Sequence, residues 1–375
     1  MLRMLDTIFD EFKAVAANPA AQKDKYLAEG RKVVLTAPVY TPEEIIHSMG
    51  LVPMGAWGGD IELKGAKKYF PAFICSVMQS LVELGMNGVY DGCSAIVIPS
   101  LCDSLKVVGQ NWKYAVKDIP FIPMTYPQNR QHDFGKTFTI EGYKRVISDL
   151  EKATGAAFDE ARLAESIKVY NEHNAVMREF AAVAAKHPEV TPSLRSAVFK
   201  SAFFMLKEEH TELVKKLIAE LGAGEPAAAR TPIMTSGILA DAPALLEILD
   251  ENGFQVVCDD IAAESRQYRT DAPERPDALE CLAEKFCSMN YCSVLYDPKK
   301  ERVHLIVKDA LAAGAKGLLI VLTKFCDPEE FDYPLIKKAC DEASLPCVSI
   351  EVDRQMVNYE QARTAIETFK ELLND

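Results

Sequence analysis

No C-x-x-C pair, no G-x-x-x-x-G-K-S/T loop and no G-x-G-x-x-G fingerprint occurs in this sequence. The first absence excludes a local zinc ribbon, a thioredoxin motif and a ferredoxin run. The other two exclude the common phosphate cradles, so any ATP the protein depends on is expected on another chain. No stretch approaches the ~20 consecutive apolar residues of a membrane span. Basic residues are outnumbered, 42 Lys and Arg against 55 Asp and Glu, and the net charge of −13 argues against nucleic acid or an anionic membrane as the main partner. The N-terminal MLRMLDTIFDEFKAVAANP lacks a small-residue cleavage site and carries acids within its apolar pattern. It reads as an amphipathic helix, not a signal peptide.

What remains is a chain of 375 residues, 49% hydrophobic and 26% charged, an ordinary globular balance with room for two or three domains. Residues 33–126 alternate strand and helix. KVVLTAPVY leads into TPEEIIHSMG, where Thr41 is expected to cap, Pro42 to take the first helical position and Glu44 to complete a capping box. LVPMGAW, SAIVIPS and PFIPMTYP read as strands. FICSVMQSLVELG, apolar at 74, 77, 78, 81 and 82, and SLKVVGQNWKYAVK read as helices. From about 141 to 222 the pattern is helical, and GAGEPAAARTP has linker composition. The α/β rhythm then returns with IMTSGILA, APALLEILDENG, FQVVCDD, GLLIVLT, PLIKKACDEA and PCVSIEVD. The expected fold is α/β: two related parallel-sheet domains of Rossmann or flavodoxin type with a helical segment between them. The segments are 1–30 (helical), 31–140 (first α/β domain), 141–225 (helical) and 226–375 (second α/β domain). SAIVIPSLCDSL followed by IPFIPMTYP parallels GLLIVLTKFCDPEE followed by LPCVSIEVD, the signature of a duplicated plan.

Ten cysteines without an export signal point to reduced thiols and a cytoplasmic location. Three stand out by position. Cys102 and Cys326 each follow a strand directly, where ligands of open parallel sheets bind, and each precedes an Asp that is expected to cap the next helix. Cys75 falls in the opening turn of its helix. The positive helix ends favour thiolate, the metal-binding form. Buried cysteine near a strand end is also ordinary packing, and on the residues alone both readings stand. As ligands, three thiolates spread over two domains fit an iron–sulfur cluster with one iron left to a non-protein ligand, since a closed zinc site wants four. The second half offers no counterpart to Cys75, because ERVHLIVKDALAAG contains no cysteine. Cys281, Cys287 and Cys292, spaced C-x5-C-x4-C, form a rival set in what looks like a helix packed on a strand. The six histidines form no evident ligand pair, and His210 in KEEHTELVKK reads as a helix-surface residue.

PAFICSVMQSLVE, PSLCDSLKVVGQNWK, YPQNR and KFCDPEEFDYP together resemble the β subunit of 2-hydroxyacyl-CoA dehydratases, the radical enzymes of amino-acid-fermenting anaerobes. TPEEIIHSMGLVPMGAWGG, YNEHNAVMREF, FFMLKEEHTELV and EQARTAIETF extend the likeness over essentially the whole chain. The resemblance implies a heterodimer of related subunits with one [4Fe-4S] cluster each. Here Cys75, Cys102 and Cys326 would be the ligands, with a non-protein group on the fourth iron. It further implies an ATP-hydrolysing iron–sulfur activator that injects one electron. A ketyl radical then forms on the thioester, hydroxide leaves from C2, and the electron is recycled as the 2-enoyl-CoA forms. Acyl-CoA would sit mainly on the α subunit, so no acid–base residue is assigned to this chain. A cluster supplies reactivity that side chains cannot, because the C3 hydrogen of such a thioester is not acidic. Flavin stays open, since no sequence feature demands it. The competing readings are a subunit of an ATP-dependent benzoyl-CoA-type reductase and a non-catalytic metal-binding scaffold.

Overall fold

A computed structural model describes residues 4–223 and 227–374. Helix α1 (Met4–Ala17) buries Ile8, Phe9 and Phe12, as its amphipathic pattern requires. It gives way to α2 (Pro19–Ala28), capped by Asn18, whose Oδ1 accepts from the Ala21 amide at 3.2 Å. The first sheet then builds as β1 (Val33–Thr36), α3 (Glu43–Ser48), β2 (Val52–Gly55), α4 (Ser76–Met86), β3 (Ala95–Pro99), α5 (Asp103–Ala115) and β4 (Phe121–Met124). Helices α6 (Asp133–Thr154), α7 (Glu160–Ala184), α8 (Pro192–Ser201) and α9 (Lys207–Ala223) follow. The linker-like stretch expected at 222–232 partly falls on residues 224–226, outside the described residues, and its last two residues already belong to the next strand.

The second sheet runs β5 (Thr231–Gly237), α10 (Pro243–Glu251), β6 (Phe254–Ile261), α11 (Ala278–Ser288), α12 (Glu301–Ala312), β7 (Gly317–Thr323), α13 (Asp327–Glu342), β8 (Cys347–Val352) and α14 (Glu360–Asn374). Both sheets are parallel throughout, and their orders correspond: β2-β1-β3-β4 and β6-β5-β7-β8. The α/β architecture of two parallel sheets is therefore as the sequence rhythm predicts. In each sheet the first and third strands are central, and β3 and β7 carry the near-continuous apolar runs of strands covered on both faces.

Alternation along these strands sorts their side chains into cores. Val33 and Leu35 of β1, Ile96 and Ile98 of β3, Ile233 of β5, and Leu319 and Val321 of β7 enter one apolar core that reaches both sheets. Their neighbours turn the other way. Val34 and Val97 pack with α6, α7 and α11, while Met234, Leu318 and Ile320 pack with α12 and α13. Helices α1, α7, α8 and α9 close a further core around Phe12, Phe180 and Phe199.

The capping box expected at Thr41 does not form. Thr41 Oγ1 instead donates to the Ala37 carbonyl at 2.7 Å, and Pro42 is the cap residue. Glu44 is buried and accepts from Lys285 Nζ of α11 at 2.6 Å. A partner 241 residues away outcompetes the local backbone for that carboxylate. His210 is likewise fully buried, not on the helix surface, because α1 covers that face of α9 and brings the Phe12 ring to 5.4 Å.

Candidate metal centre

The strand order places a crossover point between β1 and β3 in the first sheet and between β5 and β7 in the second, where ligand crevices open beyond the strand ends. Both crevices contribute to one cavity of about 650 Å³. Pro38 and Val39 after β1 and Cys102 after β3 line it from one side, Ile238 after β5 and Cys326 after β7 from the other. Cys75 joins them from the start of α4. The three cysteines singled out in the sequence thus share the walls of a single chamber. Met78, Leu101, Val294 and Phe325 supply much of the remaining wall, which keeps it largely apolar.

Each cysteine is itself the cap residue of its helix: Cys75 of α4, Cys102 of α5 and Cys326 of α13. Asp103 and Asp327, expected as caps, are instead the first helical residues. The one-residue difference puts sulfur where an oxygen cap would sit, facing the free amides of the first turn. Those amides favour thiolate: Val77 and Met78 act on Cys75, Leu105 and Ser104 on Cys102, and Glu329 on Cys326. Burial nevertheless outweighs them. It pushes Cys75 up to about 11, with the neighbouring Cys102 adding to the rise, and it raises Cys102. It raises Cys326 well above its ordinary value too, with contributions from Cys75, Glu329 and Cys102. The helix starts favour thiolate as the sequence suggests, and burial opposes them.

These shifts bear on what the site fits. Three thiolates crowded in an apolar chamber repel one another and lack solvent, and a bound cation would reverse both costs. An all-sulfur donor set suits soft metals and iron–sulfur clusters. Among the described residues no three His, Cys, Asp or Glu side chains are placed together as a metal ion would require. The three sulfurs share the walls of the chamber. A cluster of several irons, each taking its own cysteine, does not need them to meet at a single ion.

The chamber is held by buried polar groups. Glu329, in the first turn of α13, accepts from Arg302 at 2.8 Å, Arg266 at 3.1 Å and Ser293 at 2.7 Å. Asp260 accepts from both arginines at 2.9 and 2.8 Å, and Asp332 takes Arg302 and Lys300. Burial opposes the Glu329 charge, but the Arg302 and Arg266 guanidiniums hold its carboxyl below the usual range. The Cys326 amide donates to the Thr323 carbonyl at 2.9 Å, and Phe325 between them is left-handed at φ 61°. In the YPQNR stretch, Arg130 donates to the carbonyls of Met289 and Tyr296, fixing the loop that forms one wall.

The rival trio lies elsewhere. Cys281 and Cys287 are on α11 and Cys292 follows it, packed with the α6–α7 core and absent from the chamber wall. Cys292 Sγ accepts from Arg266 at 3.6 Å. Sequence reading missed a histidine pair: His173 Nε2 and His210 Nδ1 lie 3.0 Å apart, both buried. Burial, then the charge of Lys207, takes His210 down to about 3. It missed the Asp260–Arg266–Arg302–Glu329 network as well. Only the unusual buried location of those charges marks them, and a sequence does not display burial.

Residues 38–373 match the family model of the 2-hydroxyglutaryl-CoA dehydratase D-component. The chain is 47% identical over 371 residues to the (R)-phenyllactyl-CoA dehydratase beta subunit of Clostridium sporogenes, covering 98% of this chain and 99% of that one. It is 39% identical to (R)-2-hydroxyglutaryl-CoA dehydratase, subunit beta, of Acidaminococcus fermentans, over 98% and 100% of the two chains. A subunit of the benzoyl-CoA reductase of Thauera aromatica is more distant, at 25% identity over 93% of each. No helix among the described residues is long and apolar enough to cross a membrane.

Proposed function

The chain belongs to the 2-hydroxyglutaryl-CoA dehydratase D-component family and is a subunit of a hydro-lyase, and from that premise we propose that it is the iron–sulfur β subunit of a radical (R)-2-hydroxyacyl-CoA dehydratase. Cys75, Cys102 and Cys326 would hold one [4Fe-4S] cluster, with a non-protein ligand on the fourth iron. The observation that carries this reading is the meeting of three cap-position thiols in one chamber fed by both crossover points. When bound, the cluster would supply a low-potential one-electron site.

This chain's own residues build the place for it. First-turn amides of α4, α5 and α13 face the sulfurs and favour their deprotonated forms. Val39, Leu101, Ile238 and Phe325 limit water around them. Glu329, tied to Arg266 and Arg302, fixes the start of α13, and Arg130 fixes the opposing loop. No side chain here is assigned to substrate acid–base chemistry. The acyl-CoA would be held mainly by a related α subunit and lose water through a ketyl radical anion. An ATP-hydrolysing iron–sulfur activator would deliver the initiating electron, in a cytoplasmic, anaerobic setting. Flavin is not needed for this reading.

The test combines the chain with its α subunit, the activator, ATP, magnesium and a strong one-electron reductant, under strict exclusion of oxygen. An (R)-2-hydroxyacyl-CoA should be converted to the 2-enoyl-CoA, and the isolated chain should be inactive. With activator limiting, ATP consumed per product should fall well below one as turnovers accumulate. A fixed stoichiometry of ATP and reductant per product contradicts electron recycling and favours the ring-reductase reading that the Thauera relative keeps in view. Bound metal without redox activity would make the chain a scaffold.

A further inference from the structure

Of the three chamber cysteines, Cys75 alone has no equivalent in the second half, so something must hold it in register with Cys326 across the two sheets. The loop after β8 does this. The Arg354 amide donates to Ser76 Oγ at 3.1 Å, one residue beyond Cys75. The Arg354 side chain is 7% exposed and forks between the halves. Its guanidinium reaches Asp60 Oδ1 at 3.1 Å and the Trp57 carbonyl at 3.5 Å, both in the loop after β2. It also reaches Asp241, after β5, at 3.0 and 3.2 Å. Lys200 of α8 secures the same Asp241 at 2.8 Å.

The remaining guanidinium nitrogen, Nε, finds no partner within the protein, and neither does Oγ1 of Thr323. Both residues line a small cavity of about 20 Å³, together with Asp60, Asp241 and Val77. About 10–15 Å³ of such space suffices for one water, which needs polar partners, and two unpartnered buried groups provide them. Thr323 ends β7, and its carbonyl holds the Cys326 amide. A single water between Arg354 and Thr323 would therefore complete a chain of hydrogen bonds from the support of Cys75 to the support of Cys326.

We propose that Arg354 is a positioning residue. It clasps the loops after β2, β5, β7 and β8, partly through one bridging water, and sets the separation of Cys75 from Cys326. The proposal rests on the reading of these cysteines as cluster ligands, but its geometry can be tested without the cluster. An arginine suits the task because its planar fork serves several acceptors at once, which a lysine cannot do.

The experiment uses the full chain stripped of metal, a short bifunctional thiol reagent, and peptide mapping of the Cys75–Cys326 bridge. In wild type the bridge should form readily. In Arg354→Gln its rate should fall by about tenfold or more, because misplacement by about an ångström carries such penalties for proximity-dependent reactions. Arg354→Lys should recover part of it, whereas a purely electrostatic role would give full recovery. Thr323→Val, which keeps the shape and removes the hydroxyl, should slow bridging about threefold, about the loss expected from one hydrogen bond. Arg363→Gln, which removes only a surface pair with Glu251, should leave the rate unchanged. Bridging at the wild-type rate in a folded Arg354→Gln protein overturns the proposal, and so does the absence of any bridge in wild type. If Arg354→Gln loses its far-ultraviolet circular dichroism, Thr323→Val and Asp60→Asn decide. Slowing in either supports the clasp, and wild-type rates in both overturn it. Iron assays on anaerobic preparations separate this from the cluster reading. Wild type without iron but with arginine-dependent bridging defeats the cluster and keeps the clasp, and iron-loaded wild type with arginine-independent bridging does the reverse.

Discussion

The two sheets share strand order and the placement of a cysteine after the third strand, yet they build the chamber by different means. In the first half, cysteines cap both α4 and α5, and the neighbouring loop is pinned by Glu83, which accepts from the amides of Lys64, Gly65 and Ala66. In the second half, Cys326 caps α13, but α12, which like α4 precedes the third strand, is capped by Lys300, left-handed at φ 52°. Lys300 also lines the chamber, and its ammonium turns to Asp332 at 2.7 Å. The second half thus replaces one thiol with a corner of its buried ion network. A duplicated frame fixes where residues sit relative to a cavity, while the chemistry at equivalent positions is free to diverge. On the proposed reading, three protein ligands instead of four follow from that divergence.

The sharpest way to break the comparison is to attack the charged side. Removing Glu329 as Glu329→Ala leaves the buried Arg266 and Arg302 with Asp260 as their one remaining shared carboxylate, and the expected cost is about 3–5 kcal/mol. Denaturant unfolding measures it. A loss under about 1 kcal/mol, the scale of an exposed pair, means the network does not hold the second half.

A smaller effect sharpens the distinction between ligand and packing thiols. Replacing Cys281, Cys287 or Cys292 by Ala should cost ~1–3 kcal/mol per buried site and leave bound iron unchanged. Iron lost from a variant that keeps its fold would reinstate the rival trio.

A further effect, read as a slope with pH, concerns the helices that follow the first sheet in the chain. His210 is held neutral down to about 3, and burial together with the neighbouring His210 charge takes His173 well below its ordinary value. Both histidines bind protons more readily when unfolded. Their contribution is therefore complete above the unfolded pKa, near 6.5, and is lost as pH falls through the folded values. Stability should drop by about 1.4 kcal/mol per pH unit for each histidine below about pH 6. The slope in His210→Gln should be shallower than in wild type. Equal slopes between pH 6 and 4 would show that the pair already carries charge in the folded protein.

The parts of this protein that could be read in its sequence are those with local signatures. β3 and β7 announce themselves as apolar runs, and Cys102 and Cys326 as thiols at their ends. Ile74, Val77, Met78, Leu81 and Val82 mark the buried face of α4 and so locate Cys75 at its start. What escaped depends on partners far along the chain. Glu44 looked like a capping residue until Lys285 claimed it, and His210 looked exposed because nothing in KEEHTELVKK shows that Phe12 covers it. Arg302 occupies an ordinary helix start, and its burial follows from Asp260 and Glu329, on separate elements. The cap assignments missed by one residue because Asp and Cys compete for a position that local preference alone awards to Asp.

The central claim is that equivalent positions of the two halves, with Cys75 added from the first, hold one cluster. Iron and sulfide analysis of anaerobically purified wild type and of the Cys75→Ala, Cys102→Ala and Cys326→Ala variants tests it directly. About four iron and four sulfide per chain are expected in wild type, the content of a single cubane, with most of it missing from each variant and each fold intact by circular dichroism. Full iron content in any one of the three variants would remove that residue from the site and contradict the account.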